Sequence, residues 1–228
     1  MKLHTDYTQR VVIDTTAMTW TPSPLAGVER KPLDRDGDEV ARATSLVRYA
    51  PGSSFSAHTH GGGEEFYVLD GVFEDEHGAY PAGTYVRNPV GSRHIPRSPQ
   101  GCTILVKLWQ FEDGDTAQFS VDTNTAEWKP GRVPGQQEIL LHRFGEEVVK
   151  LIDFAPGCTS LPHVHGGGEE VLVLQGTLSD EFGDYPAGTW YRVPPGSSHT
   201  PFSREGCRIW FKAGHLPPRA KLPSADRC

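Results

Sequence analysis

His58-Thr59-His60-Gly61-Gly62-Gly63-Glu64-Glu65 recurs almost letter for letter as His163-Val164-His165-Gly166-Gly167-Gly168-Glu169-Glu170. The match extends far beyond these eight residues. A shift of 105 carries Ala50-Pro51-Gly52 onto Ala155-Pro156-Gly157, Gly71 onto Gly176 and Tyr80-Pro81-Ala82-Gly83-Thr84 onto Tyr185-Pro186-Ala187-Gly188-Thr189. It also carries Gly91-Ser92 onto Gly196-Ser197, His94 onto His199 and Gly101-Cys102 onto Gly206-Cys207. Upstream the shift becomes 108, with Asp14-Thr15 meeting Asp122-Thr123 and Trp20 meeting Trp128. The first copy therefore carries three extra residues, expected within Leu33 to Glu39, an acidic stretch that reads as turn-rich. A repeat of this period covers nearly the whole chain and implies two structural copies. The polar run Glu112-Asp113-Gly114-Asp115 reads as their linker, which predicts an N-terminal domain over 1–114 and a C-terminal domain over 115–228. A length of 228 residues suits two such domains.

Within each copy the apolar runs are short and rich in β-branched and aromatic residues: Ala43 to Tyr49, Glu65 to Leu69, Thr84 to Arg87 and Thr103 to Trp109. The 25 Gly and 19 Pro separate them with turns and leave little room for helices. Two small antiparallel β-barrels in tandem are expected, with side chains alternating between inside and outside.

Composition narrows the function. A net charge of −7 without a Lys/Arg cluster speaks against nucleic acid as a partner. The start Met1-Lys2-Leu3-His4-Thr5-Asp6 has no apolar signal region, and no run of eighteen apolar residues occurs, so neither export nor a membrane is expected and the reading is cytoplasmic. Cys102, Cys158, Cys207 and Cys228 form no Cys-x-x-Cys pair, which predicts free thiols rather than a zinc ribbon or a redox pair.

The repeated stretch has the chemistry of a metal site. Residues i and i+2 of a strand share a face, so His58 with His60, and His163 with His165, can aim at one point. The glycines let the chain turn sharply and bring a carboxylate back, from Glu64 or Glu65 and from Glu169 or Glu170. His94 and His199, behind a Pro/Gly turn, can close each site from a neighbouring strand. Three imidazoles and a carboxylate suit zinc, iron, manganese, nickel or copper. A lone histidine is more often an ordinary residue of intermediate burial. Here six of ten histidines fall on equivalent motif positions, whereas His4, His77, His142 and His215 have no counterpart and are expected to be structural or at the surface.

Gly52-x5-His58-x-His60-x3-Glu64-x6-Gly71 with Pro89-x-Gly91-x2-His94 resembles the two sequence motifs of the cupin superfamily, and Gly157-x5-His163-x-His165-x3-Glu169-x6-Gly176 with Pro194-Pro195-Gly196-x2-His199 does so again. The resemblance implies an all-β chain of two cupin barrels, the double-stranded β-helix or jelly roll. It also implies that the metal ligands are His58, His60, Glu64 and His94, and His163, His165, Glu169 and His199, leaving Glu65 and Glu170 outside or beside a ligating histidine. The His-x-His-Gly-Gly-Gly-Glu-Glu and Tyr-Pro-Ala-Gly-Thr runs are most similar to the cupin part of ChrR-type anti-sigma factors, which binds zinc. By that likeness the divalent metal is zinc, with iron, manganese or nickel as alternatives. The anti-sigma activity of that family resides in a separate helical domain with a His-x3-Cys-x2-Cys motif that this chain lacks, so a sigma factor is not an expected partner. The implied role is the sensing or binding of a small molecule. Related cupins that cleave small ketones imply the alternative of a metal-dependent dioxygenase or other oxidoreductase. Cupins often pair, so a homodimer is within the expectation.

Other repeated residues invite weaker readings. Arg87 and Arg192 are placed either to clamp an anion near the metal or to form structural ion pairs. Cys102 and Cys207 read as small core hydrophobes, and Trp20 and Trp128 as cover for the barrel flanks. Phe55, Phe66 and Tyr67 stand where the second copy has Ser160, Val171 and Leu172, which predicts cavities of different shape. No nucleophile-and-base pair stands out, so any reaction is expected to be metal-assisted.

Overall fold

The computed structural model describes residues 1–38 and 40–216, and Cys228 lies outside them. The described chain is built of antiparallel strands and divides into two compact units. In the first, hydrogen-bonded neighbours run Lys2–Leu3, Val28–Gly37, Ala41–Tyr49, Cys102–Leu108, Glu64–Asp75, Thr84–Asn88 and Phe119–Asp122. The second runs Lys129–Pro130, Gln136–Phe144, Glu147–Phe154, Cys207–Ala213, Glu169–Asp180, Thr189–Val193 and Val11–Asp14, the same order from its second strand on, while Lys129–Pro130 corresponds to Thr21–Pro22, which also pairs with Val28–Gly37. Among the described residues no helix is long and apolar enough to cross a membrane.

The last strand of each list does not come from the same sequence copy as the rest. Val11–Asp14 pairs with Thr189–Val193, and Phe119–Asp122 pairs with Thr84–Asn88. Segments 6–18 and 115–126 therefore belong to the compact unit formed mainly by the other repeat. Each is pinned in the same way: Thr15 donates both its amide and its hydroxyl to the Gly188 carbonyl, at 3.0 and 2.6 Å, and Thr123 does so to Gly83 at 3.0 and 2.6 Å.

Strand alternation builds the cores. Phe66 and Val68 face Val86, Ile104 and Val106 in the first unit, and Val171 and Val173 face Tyr191, Val193 and Ile209 in the second. Burying each such side chain is worth roughly 1.5–3 kcal/mol. Cys102 and Cys207 sit in these clusters, and burial pushes each thiol up to about 11, so they pack as small apolar groups. Trp20 lies beneath Lys31 and Arg48, each 4.5 Å from its ring centre, and Trp128 beneath Arg208 at 4.8 Å.

The stretch expected to be turn-rich is mostly strand. Val28–Gly37 runs through it with Leu33 and Asp34 fully buried, and Asp34 faces Arg42 at 3.6 Å. Its charges and Pro32 hide the strand in sequence, and the register shift between Pro32 and Asp34 is the kind of bulge where a strand tolerates proline. The three extra residues lie between Asp36, opposite Arg42, and the equivalent pair Phe144 and Glu147 of the second copy, which places them in the hairpin within 37–41.

Candidate metal centres

Each histidine pair is set by a short two-stranded ladder. His58–Thr59 pairs with Arg93–His94 so that His58 lies opposite His94, and His163–Val164 pairs with Ser198–His199 so that His163 lies opposite His199. His60 is held one residue beyond the strand, its amide donating to the Ser92 carbonyl at 2.9 Å and its carbonyl accepting from Gly91 at 2.9 Å. The three rings of the first group lie 4.6 to 5.0 Å apart between centres, and those of the second 4.8 to 5.0 Å.

The glycine run then turns the chain so that the next strand opens on a glutamate. Gly63 has φ 76°, a backbone that side-chain-bearing residues rarely adopt. Gly62 has a different reason to be glycine: the Trp109 ring lies where a Cβ would stand, 2.1 Å from its Cδ2. Glu64 thereby comes to 3.5 Å from His60 Nε2 and 3.6 Å from His94 Nε2, and Asn88 donates to its Oε1 at 3.2 Å. In the second copy Glu169 lies 3.1 Å from His165 Nδ1 and 3.7 Å from His199 Nε2, and the Tyr191 hydroxyl donates to its Oε1 at 3.2 Å. Glu169 is held below the usual carboxylate range, the hydrogen bond from His165 and the charges of the three histidines outweighing its burial.

Four side chains in each copy thus present donor atoms within 4.8 Å of one another. The donors are also short of partners. His60 Nε2, His94 Nε2, His165 Nε2 and His199 Nε2 are buried and make no hydrogen bond. An orphaned buried polar atom costs about 1–3 kcal/mol, and four of them at equivalent places of the repeat fit a role as metal ligands. Imidazole with carboxylate is a donor set that divalent metals accept.

The rings are aimed from behind by carboxylates that the sequence reading did not single out. His94 Nδ1 bonds to Asp75 Oδ2 at 3.2 Å and His199 Nδ1 to Asp180 Oδ2 at 2.9 Å, which turns Nε2 toward the site. Burial works against protonation of His94, but the Asp75 hydrogen bond and the charges of Glu64 and Asp75 raise it overall. His60 goes the other way, lowered chiefly by burial and also by His94 and His58, against the pull of Glu64. His163 too is lowered by burial. Asp75 and Asp180 obey the same 105-residue shift as the histidines, and that was the signal available in the sequence.

Glu65 and Glu170 point elsewhere. Glu65 is buried and accepts from Tyr85 at 2.5 Å and Arg87 at 2.9 Å, and Arg87 also pairs with Asp115 of the supposed linker. Arg87 is therefore a buried ion-pair residue stacked 4.0 Å over Phe111, not an anion clamp. Arg192 is equally buried, 4.3 Å over Tyr7. Glu170 accepts from Trp190 at 2.9 Å and meets His215 at 3.1 Å, so it does hold a histidine, though none of the six in the clusters. Of the remaining histidines, His4 bonds to the Leu33 carbonyl at 2.7 Å, His77 is exposed and His142 is buried.

A cavity opens against each group, about 550 Å³ in the first unit and about 480 Å³ in the second. Phe55 lines the first where Ser160 lines the second, as the sequence comparison predicts. Phe66 and Tyr67 do not: Phe66 is in the core, and Tyr67 is buried with its hydroxyl 3.3 Å from Thr123.

Residues 8–112, and again 116–217, match the ChrR cupin-like domain. The chain belongs to that cupin family. It is an all-β bicupin, and its two jelly-roll barrels carry candidate His/Glu groups that fit a divalent metal. Structural relatives share the fold at low identity. A candidate dioxygenase from Nostoc punctiforme PCC 73102 is 15% identical with a TM-score of 0.78, over 95% of this chain and 88% of that one. The pirin YhhW of Escherichia coli, solved with nickel(II), is 14% identical with a TM-score of 0.69, over 92% and 100%. An oxalate decarboxylase OxdC variant of Bacillus subtilis is 13% identical with a TM-score of 0.62, over 93% and 79%. No curated protein matches the bicupin.

Proposed function

We propose that this bicupin holds one divalent metal ion per barrel, zinc as isolated, through His58, His60, Glu64 and His94 and through His163, His165, Glu169 and His199, and that each metal faces a cavity that binds a small molecule. The convergence of buried imidazole nitrogens that make no hydrogen bond, at the wall of an open cavity, carries this reading. A bound metal would supply a Lewis acid for an oxygen atom of the ligand. The chain's own residues do the positioning: Asp75 and Asp180 fix the histidine tautomers, and Asn88 or Tyr191 orients the carboxylate. The net charge of −7 supports a small-molecule partner over nucleic acid.

Metal analysis of protein purified without added metal tests the reading. Two equivalents per chain are expected, falling to one in His58→Ala and one in His163→Ala; no metal in the wild type sinks it. The cavities also support an enzymatic reading, in which an iron held by the same histidines and glutamates would supply dioxygen chemistry to a small oxygenated molecule in the cavity. Oxygen uptake by iron-loaded protein with diketones or hydroxyketones, lost in His58→Ala or His163→Ala, would support it; no uptake would confine the protein to binding.

A further inference from the structure

The two barrels differ most in what faces the histidines across the cavity. In the first, Val28 and Arg30 of one strand and Val47 and Tyr49 of the next all line the cavity. Val28 lies opposite Tyr49 and Arg30 opposite Val47, so Arg30 and Tyr49 are diagonal neighbours on one face. Diagonal cross-strand residues stand roughly 7–8 Å apart, within reach of one small ligand for long side chains.

Both polar ends are unengaged. Among the described residues the Arg30 guanidinium makes no hydrogen bond or ion pair and the Tyr49 hydroxyl makes no hydrogen bond. Nearby arginines are otherwise occupied: Arg42 by Asp34, Arg48 by Glu29, and Arg35, which also borders the cavity, by the Asp38 carbonyl. The Tyr49 ring is clamped between Phe55 at 5.2 Å and Phe73 at 5.7 Å, and Phe73 in turn packs 5.9 Å from His94. Burial, with the charge of Glu64 adding to it and that of Arg30 opposing, keeps the phenol far above its usual range, so it remains a hydrogen-bond donor. An unpaired guanidinium beside a fixed hydroxyl donor is a receptor for an oxyanion. Val28, Val47, Val106 and Leu108 line the same cavity as the histidines, and these apolar walls suit a short carbon chain.

The second barrel lacks this arginine–tyrosine pair, and the arginines that border its cavity, Arg132 and Arg143, stand at other positions of the repeat. Glu138 lies opposite Ile152 where Arg30 lies opposite Val47, and Phe154 takes the place of Tyr49. Glu138 is neutralised by Lys150 at 2.6 Å.

We infer that the first barrel binds a small carboxylate bearing a second oxygen, such as a 2-oxo acid, with the carboxylate on Arg30 and Tyr49 and the other oxygen toward His58, His60, Glu64 and His94, and that the second barrel does not share this specificity. The inference deepens the metal reading above and rests on it for the second oxygen alone.

Pyruvate and its neutral analogue pyruvamide test it, titrated calorimetrically into wild type, Arg30→Gln, Arg30→Lys, Tyr49→Phe and Glu138→Gln, with metal content measured on each sample. One pyruvate per chain is expected. Arg30→Gln should weaken it about ten- to one-hundred-fold, the loss of a hydrogen bond to a charged group. Arg30→Lys should recover part of that loss, and Tyr49→Phe should cost about three- to tenfold. Pyruvamide binding should change far less than pyruvate binding in the Arg30 variants, and pyruvate binding should be unchanged in Glu138→Gln. Pyruvate binding that ignores Arg30, that is no tighter than pyruvamide binding, or that fills two equivalent sites overturns the inference while leaving the metal reading intact. Arg30-dependent pyruvate binding in protein that takes up no metal would overturn the metal reading and keep the carboxylate site.

Discussion

Glu64 and Glu65 are the same amino acid on adjacent positions, and the pleat sends them to opposite sides of one strand. Glu64 faces three histidines, whereas Glu65 is buried against Tyr85 and Arg87. The same substitution should therefore fail in two different ways. Glu64→Gln is expected to weaken metal binding in the first barrel by about ten- to one-hundred-fold with little change in the stability of the metal-free protein. Glu65→Gln should leave metal content intact and cost about 2 kcal/mol or more in chemical denaturation, because Arg87 loses a buried counter-charge. Equal loss of metal in the two variants would refute the assignment. Asp75→Asn and Asp180→Asn should each lower metal affinity in one barrel by about ten- to one-hundred-fold, since an amide no longer fixes the ring tautomer; competition with a chromogenic chelator measures it. The histidines and the glutamate pairs were legible because repetition and period-2 spacing are properties of the string of letters. Asp75 and Asp180 were equally repeated, but nineteen residues separate each from the histidine it orients, and only the fold brings them together. Arg30 and Tyr49 lay hidden for the opposite reason: they break the repeat, so a search for repetition passes over them.

At the scale of elements, the strands with uncharged, β-branched sequences were readable and Val28–Gly37 was not. Its Glu29, Arg30, Lys31, Asp34, Arg35 and Asp36 look like a solvated loop until Leu33 and Asp34 are seen buried and Arg42 is seen opposite. Which barrel receives Val11–Asp14 or Phe119–Asp122 is likewise absent from the sequence, because the repeat states only that the two segments are equivalent and says nothing of their hydrogen-bond partners. This pairing makes a local prediction with a non-local address. Thr15→Val removes a hydroxyl bond to Gly188 and should loosen the strands Thr189–Val193 and Glu169–Asp180, whereas Thr123→Val should loosen Thr84–Asn88 and Glu64–Asp75. Each is expected to cost about 1 kcal/mol. Amide hydrogen exchange resolves where the protection is lost, and loss in the barrel of the mutated residue's own repeat would contradict the pairing.

The whole molecule should respond to acid in two stages. Neutral imidazoles bind metal and protonated ones do not, so metal is expected to leave as acid protonates the histidine clusters. Carboxylates act later. Despite its burial, Asp180 is held down to about 2 by hydrogen bonds from His199, Tyr185 and the Phe182 amide and by the charge of Arg10. Because its folded value lies below its ordinary value of 3.8, the stabilisation it gives is complete above about pH 4 and is lost as pH falls through about 2; it amounts to on the order of 2 kcal/mol. Circular dichroism against pH, with metal content followed in parallel, should show release of metal well before unfolding, and coincident transitions would contradict this order. The reciprocal placement of segments 6–18 and 115–126 has a further consequence for chain cleavage. A protease that cuts the Asp113–Gly114 turn leaves fragments that each still own a strand of the other's barrel. Such a nicked protein should elute as one species under native conditions and separate into two only in denaturant, as though the peptide bond at the junction had never been what joined its halves.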